Sequence, residues 1–310
     1  MLKRFFILVF LILLVYPYQP VQAQDNTPSG PVYVVESGDT FTSIAIKFGV
    51  SVDDLIQANP NLDPNLLSIG AEVVIPGLEG VQGKLITSTI TLGESLRTIS
   101  IRNSIPADQL VSLNRLTSPA EVFAGTNLII PQDDTRPVIE AHSLIGHNQS
   151  LLQVAVEQNT NPWLLAAINQ TASTWDMYPG EAVFNQSTEN SGTISLIAPV
   201  IRELILNPLP IEQGETAVVR VSTTQPVELS GSLAGYPLHF FMTEENEYAA
   251  LQGIHVMASA GIYPFILSGK LADGSQFSFE QMVILEPLGY IQEKIDGVDP
   301  ATIDPAITKP

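Results

Sequence analysis

The sequence predicts an α+β amino-terminal half, made of three tandem strand–helix–helix–strand units, followed by an all-β half. Three observations lead to this fold class. A pattern recurs with a period of 55 residues between positions 38 and 180, helical periodicity ends near residue 191, and the chain opens with a short apolar run. A composition of 45% hydrophobic and 15% charged residues is that of a globular protein.

The opening run has the features of a secretory signal. Lys3 and Arg4 precede the apolar residues 5–16, and Val21-Gln22-Ala23 follows as a small-residue exit. This order is typical of a signal peptide cleaved after Ala23, and the run is shorter than the roughly 20 apolar residues of a spanning helix. We therefore expect a secreted or cell-surface protein, in contact with a membrane only if residues 1–23 are retained.

The charge balance excludes one large class of partners. Lys and Arg total 13 against 32 for Asp and Glu, a formal net charge of −19. Nucleic-acid binding depends on clustered basic side chains, so we expect no nucleic-acid partner.

The absence of cysteine excludes disulfides and thiolate metal sites. In an exported protein of this size it also favours a bacterial source.

Internal repetition fixes the architecture of the first half. The positions that recur at a spacing of 55 are Gly38, Gly93 and Asn148; Leu55, Leu110 and Leu165; Asn59, Asn114 and Asn169; and Gly70, Gly125 and Gly180. Shared offsets without a gap predict three copies of one unit.

Each copy carries the signals of the same four elements. In the first copy these are a strand at 33–35, a helix at 41–48 after the N-cap Thr40, a helix from 52 to Asn59 after the N-cap Ser51, and a strand at 72–75. Gly49 ends the first helix. The predicted domains are the signal peptide 1–23, a linker 24–31, the three copies 32–77, 86–132 and 140–187, an all-β domain 193–287 and a tail 288–310.

The first copy resembles a LysM module along its whole length, from YVVESGDTFTSIAIKFG to IGAEVVIPG. The second copy resembles it with Gly-Glu-Ser in place of Gly-Asp-Thr, and the third copy is divergent, because it lacks the turn glycine and the final Ile-Pro. The resemblance implies binding of an N-acetylglucosamine polymer, peptidoglycan or another, in a groove between two loops. The groove residues that it implies are Gly38, Asp39, Thr40, Phe41, Asn59, Pro60, Asn61 and Leu62, and in the second copy Glu94, Ser95, Leu96, Asn114, Arg115 and Leu116.

The second half reads as short β-rich runs separated by turn residues. The runs are 200–206, 217–222, 227–233, 239–242, 249–254, 262–267 and 277–285. About seven strands at this spacing predict a β-sandwich of immunoglobulin type.

Capping and turn formation are alternative roles for the implied groove residues of the first two copies, and Phe41 is also a candidate core residue.

Phrases such as GSLAGYPLHFF and GIYPFIL resemble the β-sandwich that precedes the catalytic domain of lysostaphin-type zinc metalloendopeptidases, and the tail resembles their linker. That class needs a His-x-His pair and an Asp ligand for zinc. The four histidines, at 142, 147, 239 and 255, contain no such pair, and no catalytic constellation stands out. We expect no catalytic residues, no metal and no cofactor.

Three functions remain open from the sequence. The leading hypothesis is an exported, non-catalytic protein that binds peptidoglycan. The second is the targeting half of a cell-wall endopeptidase whose zinc domain is absent here. The third is an interaction scaffold, in which the β-sandwich binds a protein partner and the repeats act as spacers.

Overall fold

The computed structural model describes residues 30–78, 80–81, 83–133, 137–186 and 195–290. The predicted signal peptide, most of the predicted linker, and residues 291–310 of the predicted tail lie outside these ranges. Within them, no helix is both long and apolar enough to cross a bilayer. The chain divides into two compact units, Met1–Val81 and Gln82–Pro310, and each is described by itself.

The first unit contains the first copy, with the predicted order of elements. These are β1 (Val32–Val34), α1 (Phe41–Phe48), α2 (Val52–Ala58) and β2 (Glu72–Val74). The two strands pair antiparallel, with Tyr33 opposite Val73. Side chains of α1 at helical spacing are buried, and so are Leu55, Val73 and Ile75. The two helices thus share one core with the small sheet.

Local sequence determines where these helices begin and end. Thr40 accepts a hydrogen bond from the Ser43 amide, and the Ser43 hydroxyl accepts one from the Thr40 amide, which forms a reciprocal capping box. Gly49 closes α1 in the left-handed region at φ +67°. Ser51 accepts a hydrogen bond from the Asp54 amide at the start of α2. The predicted caps and the end of α1 are therefore confirmed.

The second unit begins with two further copies. The second copy comprises β3 (Lys84–Thr89), α3 (Leu96–Arg102), α4 (Ala107–Asn114), a short 3-10 turn (Pro119–Glu121) and β4 (Asn127–Gln132). The third comprises β5 (Ile139–Leu144), α5 (Leu151–Glu157), α6 (Pro162–Ile168) and β6 (Ala182–Gln186). Both retain the strand–helix–helix–strand order, and in both the outer strands pair antiparallel.

The remainder of the second unit is all β, in two sheets. Its strands are β7 (Ile201–Asn207), β8 (Ile211–Glu212), β9 (Thr216–Thr223), β10 (Val227–Leu233), β11 (Tyr236–Leu238), β12 (Phe241–Glu244), β13 (Glu247–Gly253), β14 (Gly261–Leu271) and β15 (Gln276–Glu286). One sheet has the order β11-β10-β14-β15-β8 and the other β12-β13-β9-β7. A single apolar cluster takes side chains from both sheets, Phe265 and Val219 among them. We call this two-sheet body the sandwich; its immunoglobulin type stays a prediction.

The predicted strand at 239–242 is wrong in its bounds. His239 and Phe240 lie between strands, β11 ends at Leu238 and β12 begins at Phe241. These two strands belong to different sheets. The run that looked like one strand is therefore the place where the chain crosses from one sheet to the other.

The second copy and the sandwich share a core. Leu92 and Ala124 are buried in the same apolar cluster as the sandwich interior. The Ala124 amide donates to the Met282 carbonyl at 3.0 Å, and the Ile284 amide donates to the Ala124 carbonyl at 2.9 Å. Ala124 thus forms a parallel β-bridge with Val283 of β15. The second copy is part of one folded body with the sandwich.

Candidate functional site

The first loop of the first copy connects β1 to α1 and forms a tight turn. The Asp39 amide donates to the Glu36 carbonyl at 3.2 Å, and Gly38 occupies the third turn position at φ +87°. A Cβ built on Gly38 meets no atom within 4 Å. The glycine is therefore needed for its backbone angle, and the space beside it is open.

Asp39 fixes this turn from within. Its carboxylate accepts hydrogen bonds from the Tyr33 hydroxyl at 2.8 Å and from the Glu36 amide at 2.9 Å. Lys47, two helical turns along α1, places its Nζ 3.7 Å from the Asp39 carboxylate and 4.8 Å from the centre of the Tyr33 ring. Asp39, a predicted ligand-binding residue, thus also ties the turn to α1 through its contacts with Tyr33 and Lys47.

Asn59, at the end of α2, is almost fully enclosed, with 6% of its surface exposed. Its amide nitrogen donates to the carbonyls of Leu55 and Val74 at 2.7 and 2.8 Å, and its oxygen accepts the Val74 amide at 2.8 Å. We call this arrangement the asparagine latch. Because these bonds tie the helix to β2, the Asn59 side chain is committed to the fold.

The other predicted groove residues of the first copy differ in what they can offer. Phe41 is a core residue with 3% of its surface exposed, and Thr40 is engaged in its cap. Pro60 and Asn61 are exposed, and Leu62 is half-buried. The predicted groove would therefore be bordered by the backbone of the first loop on one side and by residues 60–62 on the other. Contact of these groups with sugar stays a prediction.

The second copy repeats the same devices with different side chains. The Glu94 carboxylate accepts hydrogen bonds from the Thr91 amide and hydroxyl, both at 2.8 Å, and pairs with Arg102. Ser95 caps α3, and Leu96 is buried with 5% of its surface exposed. These three predicted residues therefore have structural roles, like their counterparts in the first copy.

On the opposite side of the predicted groove, Asn114 forms the asparagine latch of the second copy. It donates to the carbonyls of Leu110 and Ile129 and accepts the Ile129 amide. Arg115 ends α4 at φ +53° with an exposed side chain, and Leu116 packs on the core of this copy. Within this predicted set, Arg115 is the exposed polar side chain beside the helix end.

The first loop of the second copy contacts the sandwich. The Gly93 amide donates to the side-chain oxygen of Gln281 at 2.7 Å, and the Gln281 side-chain nitrogen donates to the Glu94 carbonyl at 3.0 Å. A Cβ on Gly93 would lie 3.3 Å from atoms of Leu196 and Ile197. Sequence reasoning missed Gln281, since a lone polar residue 188 positions away carries no local signal.

The third copy keeps the asparagine latch but has a different side-chain pair at the first loop. Asn169 binds Leu165 and Phe184 as Asn59 binds Leu55 and Val74. Gln149 stands where the other copies have Asp39 and Glu94, and its side-chain nitrogen donates to Glu157 at 2.9 Å. An amide–carboxylate pair thus replaces the acid–base pairs of the other copies.

The third copy also packs on the second. The Arg97 guanidinium donates to the Asn169 carbonyl at 3.1 Å, and the side-chain nitrogen of Gln170 donates to the Ser100 hydroxyl at 2.9 Å. Ile101 and Phe184 lie in one buried cluster across the same contact. The backbone beyond α6, which would form one side of a groove in this copy, is therefore engaged by α3.

Acidic and histidine side chains do not converge in the part of the chain that the structure describes. Within those residues, no group of three or more His, Cys, Asp or Glu is placed to hold a metal ion. The expectations of no catalytic residue and no metal stay predictions.

Comparison with known protein families matches the LysM domain to residues 33–76 and 89–131. The chain therefore contains two LysM domains, and they are the first and second copies. The third copy lies outside the two matched ranges, although it has the same order of elements.

Several curated proteins are similar to part of this chain. An endolysin of Bacillus phage PZA is 32% identical over 32% of this chain and 37% of its own length. The secreted LysM effector ECP6 of Passalora fulva is 28% identical over 33% of this chain and 45% of its own length. The N-acetylmuramoyl-L-alanine amidase sle1 of Staphylococcus epidermidis is 28% identical over 38% of this chain and 40% of its own length. The chain thus spans less than half of each relative.

Proposed function

We propose that this chain is an exported glycan-binding protein that attaches non-covalently to peptidoglycan or a related N-acetylglucosamine polymer. The observation that carries the proposal is the pair of LysM domains, together with an open first loop at Gly38 in the first of them. The similarity to an endolysin and to a cell-wall amidase supports a bacterial wall polymer as the ligand.

The binding mode follows from the charge. At a formal net charge of −19 the chain repels anionic wall polymers, so attraction comes from neutral sugar contacts. An acetamido group needs one hydrogen-bond donor and one acceptor, which the turn backbone at Gly38 and Asp39 can offer. Pro60 and Leu62 supply a small apolar wall for the sugar face.

The third copy enters the proposal as a divergent LysM module. Its asparagine latch and its four elements in the same order support this assignment. Several weak modules on one polymer would add avidity, provided that more than one is open. The role proposed for the third copy is structural support of the second, through the contacts of Arg97 and Gln170.

A second candidate function is the targeting region of a cell-wall hydrolase. The observation that favours it is the similarity to the amidase sle1 and to the phage endolysin. Each of these proteins matches this chain over less than half of its own length, so each has a further region outside the match. The endopeptidase resemblance of the second half belongs to this candidate. A protein partner for the sandwich belongs to a third candidate, a cell-surface interaction scaffold. The first proposal, a non-catalytic protein that binds glycan, stays the leading one.

Sedimentation of residues 24–310 with purified peptidoglycan tests the first proposal. We expect the protein in the pellet with peptidoglycan and in the supernatant without it, and soluble N-acetylglucosamine oligomers should compete. Retention on an anion-exchange resin but not on peptidoglycan would overturn glycan binding. Zymography with and without zinc tests catalysis separately, and a cleared zone would overturn the non-catalytic version.

A further inference from the structure

We infer that the second LysM domain is occupied from within: the Gln281 side chain fills the position on its first loop where the acetamido group of a sugar would bind. This inference rests on the proposed function, since it concerns the same kind of loop. It makes the sandwich an internal occupant that closes one of the two LysM domains.

The chemistry of the contact is that of an amide ligand. Gln281 accepts from the Gly93 amide at 2.7 Å and donates to the Glu94 carbonyl at 3.0 Å. An N-acetyl group presents the same pair, one carbonyl acceptor and one N–H donor on adjacent atoms. The two backbone groups that a sugar amide would use are therefore both filled by the amide of one side chain.

The first copy shows the same loop without an occupant. Gly38 and Asp39 lie 55 positions before Gly93 and Glu94 and form the same turn, with φ +87° at both glycines. Among the residues that the structure describes, no group forms a hydrogen bond with the Gly38 amide or the Asp39 carbonyl. Gly38 also has open space at its Cβ position. Leu196 and Ile197 also lie beside Gly93, but Gln281 is the residue that takes up the two hydrogen-bonding groups of the second loop.

The occupant is held in register by the strand that carries it. Directly after it in β15, the Met282 carbonyl accepts from the Ala124 amide of the second copy, and the Ile284 amide donates to the Ala124 carbonyl. Ala124 is fully buried in the shared core. An occupant on the same folded body competes at a high effective concentration, so a weak external sugar would not displace it.

A nuclear magnetic resonance titration of residues 24–310 with the tetramer of N-acetylglucosamine tests this inference. In the wild type we expect the amide signals of Gly38 and Asp39 to shift and those of Gly93 and Glu94 to stay. In Gln281→Ala we expect all four signals to shift. Shifts at Gly93 and Glu94 in the wild type, or their absence in Gln281→Ala, would overturn internal occupancy.

Two further variants would test whether Gln281 itself closes the second loop. Gln276→Ala removes an exposed glutamine from the same strand and should leave the second loop closed. Gln281→Ser keeps a polar side chain on the strand but is too short to reach the Gly93 amide or the Glu94 carbonyl, and should open the loop as Gln281→Ala does. If Gln281→Ala unfolds, Gln281→Ser carries the test.

The outcomes separate this inference from the proposed function. If no signal in the first copy shifts while Gly93 and Glu94 shift in Gln281→Ala, the first copy is not the open site but the occupancy stands. If nothing shifts in either protein, glycan binding fails. Occupancy is then decided without sugar by hydrogen exchange of the Gly93 amide, which should accelerate about tenfold in Gln281→Ala and not in Gln276→Ala.

Discussion

Asn59 both donates to the Val74 carbonyl and accepts the Val74 amide, each at 2.8 Å, so one side chain mimics the pairing of a neighbouring strand. The same exchange joins Asn114 to Ile129 and Asn169 to Phe184. The asparagine amide makes two donations and one acceptance here, which a hydroxyl with its single donor cannot match and a carboxylate, which only accepts, cannot provide. This requirement explains why asparagine recurs at these three positions.

Removal of the latch should destabilise the first copy. In Asn59→Ala the Val74 amide and carbonyl lose their partner, and an unsatisfied buried group costs about 1–3 kcal/mol. Urea unfolding should show a loss of that size. Asn61→Ala, at an exposed neighbouring position, should stay within about 0.5 kcal/mol of the wild type. Equal effects of the two substitutions would contradict the latch.

The backbone angle of Gly38 predicts a graded response to substitution. Asn148 occupies the equivalent position of the third copy at φ +61°, so this turn accepts asparagine there. We expect Gly38→Asn to lower the unfolding free energy by less than Gly38→Val, for which a left-handed angle costs about 1–2 kcal/mol or more. Thermal unfolding of both variants provides the comparison, and the reverse order would rule out strain as the cause.

Thr40 distinguishes capping from ligand contact. Loss of its hydroxyl in Thr40→Ala should cost about 1 kcal/mol of stability, because the Ser43 amide loses its acceptor. Thr40→Ser should retain most of this stability, and Thr42→Ala, at an exposed position two residues further on, should have little effect. Peptidoglycan binding by the folded fraction of Thr40→Ala should be unchanged. Lost binding at full stability would instead make Thr40 a ligand contact.

Glu121 makes one loop of the second copy sensitive to acid. Hydrogen bonds from the hydroxyl and amide of Thr117, and a weaker one from the Ser118 amide, lower the pKa of the Glu121 carboxyl. A lowered folded pKa means that the stabilisation is present above the ordinary glutamate pKa and is lost as pH falls through the lowered value. Protection of the Thr117 amide against exchange should therefore persist at the ordinary glutamate pKa and fall only at lower pH. Thr117→Val should raise the Glu121 pKa, and an unchanged titration would contradict this cause.

Features that depend on neighbouring residues were predictable. Thr40, Ser51 and Gly49 set the helix ends through side chains and angles a few positions apart, so the sequence contains the whole determinant. The bounds of the strand predicted at 239–242 were not predictable from the sequence. A run of β-forming residues does not reveal that the chain leaves one sheet before His239 and enters the other after it.

The repeat predicts which two loops would border a groove, and that groove stays a prediction. What the repeat does not predict is that Phe41 and Asn59 direct their side chains into the fold. Gln281 could not be anticipated, because its partners Gly93 and Glu94 are far away in the chain. A polar residue in a strand normally indicates a solvent-facing position.

The parallel bridge between Ala124 and Val283 has a consequence for any attempt to transplant a LysM domain from this chain. Excision of the second copy alone would bare Leu92 and Ala124 to water. The sandwich left behind would present unpaired backbone groups of Met282 and Ile284 along β15, and such a bare edge invites aggregation. The transferable part is therefore the second copy, the third copy that packs on it and the sandwich together, and a graft boundary drawn at the end of the second copy would cut through a hydrophobic interior.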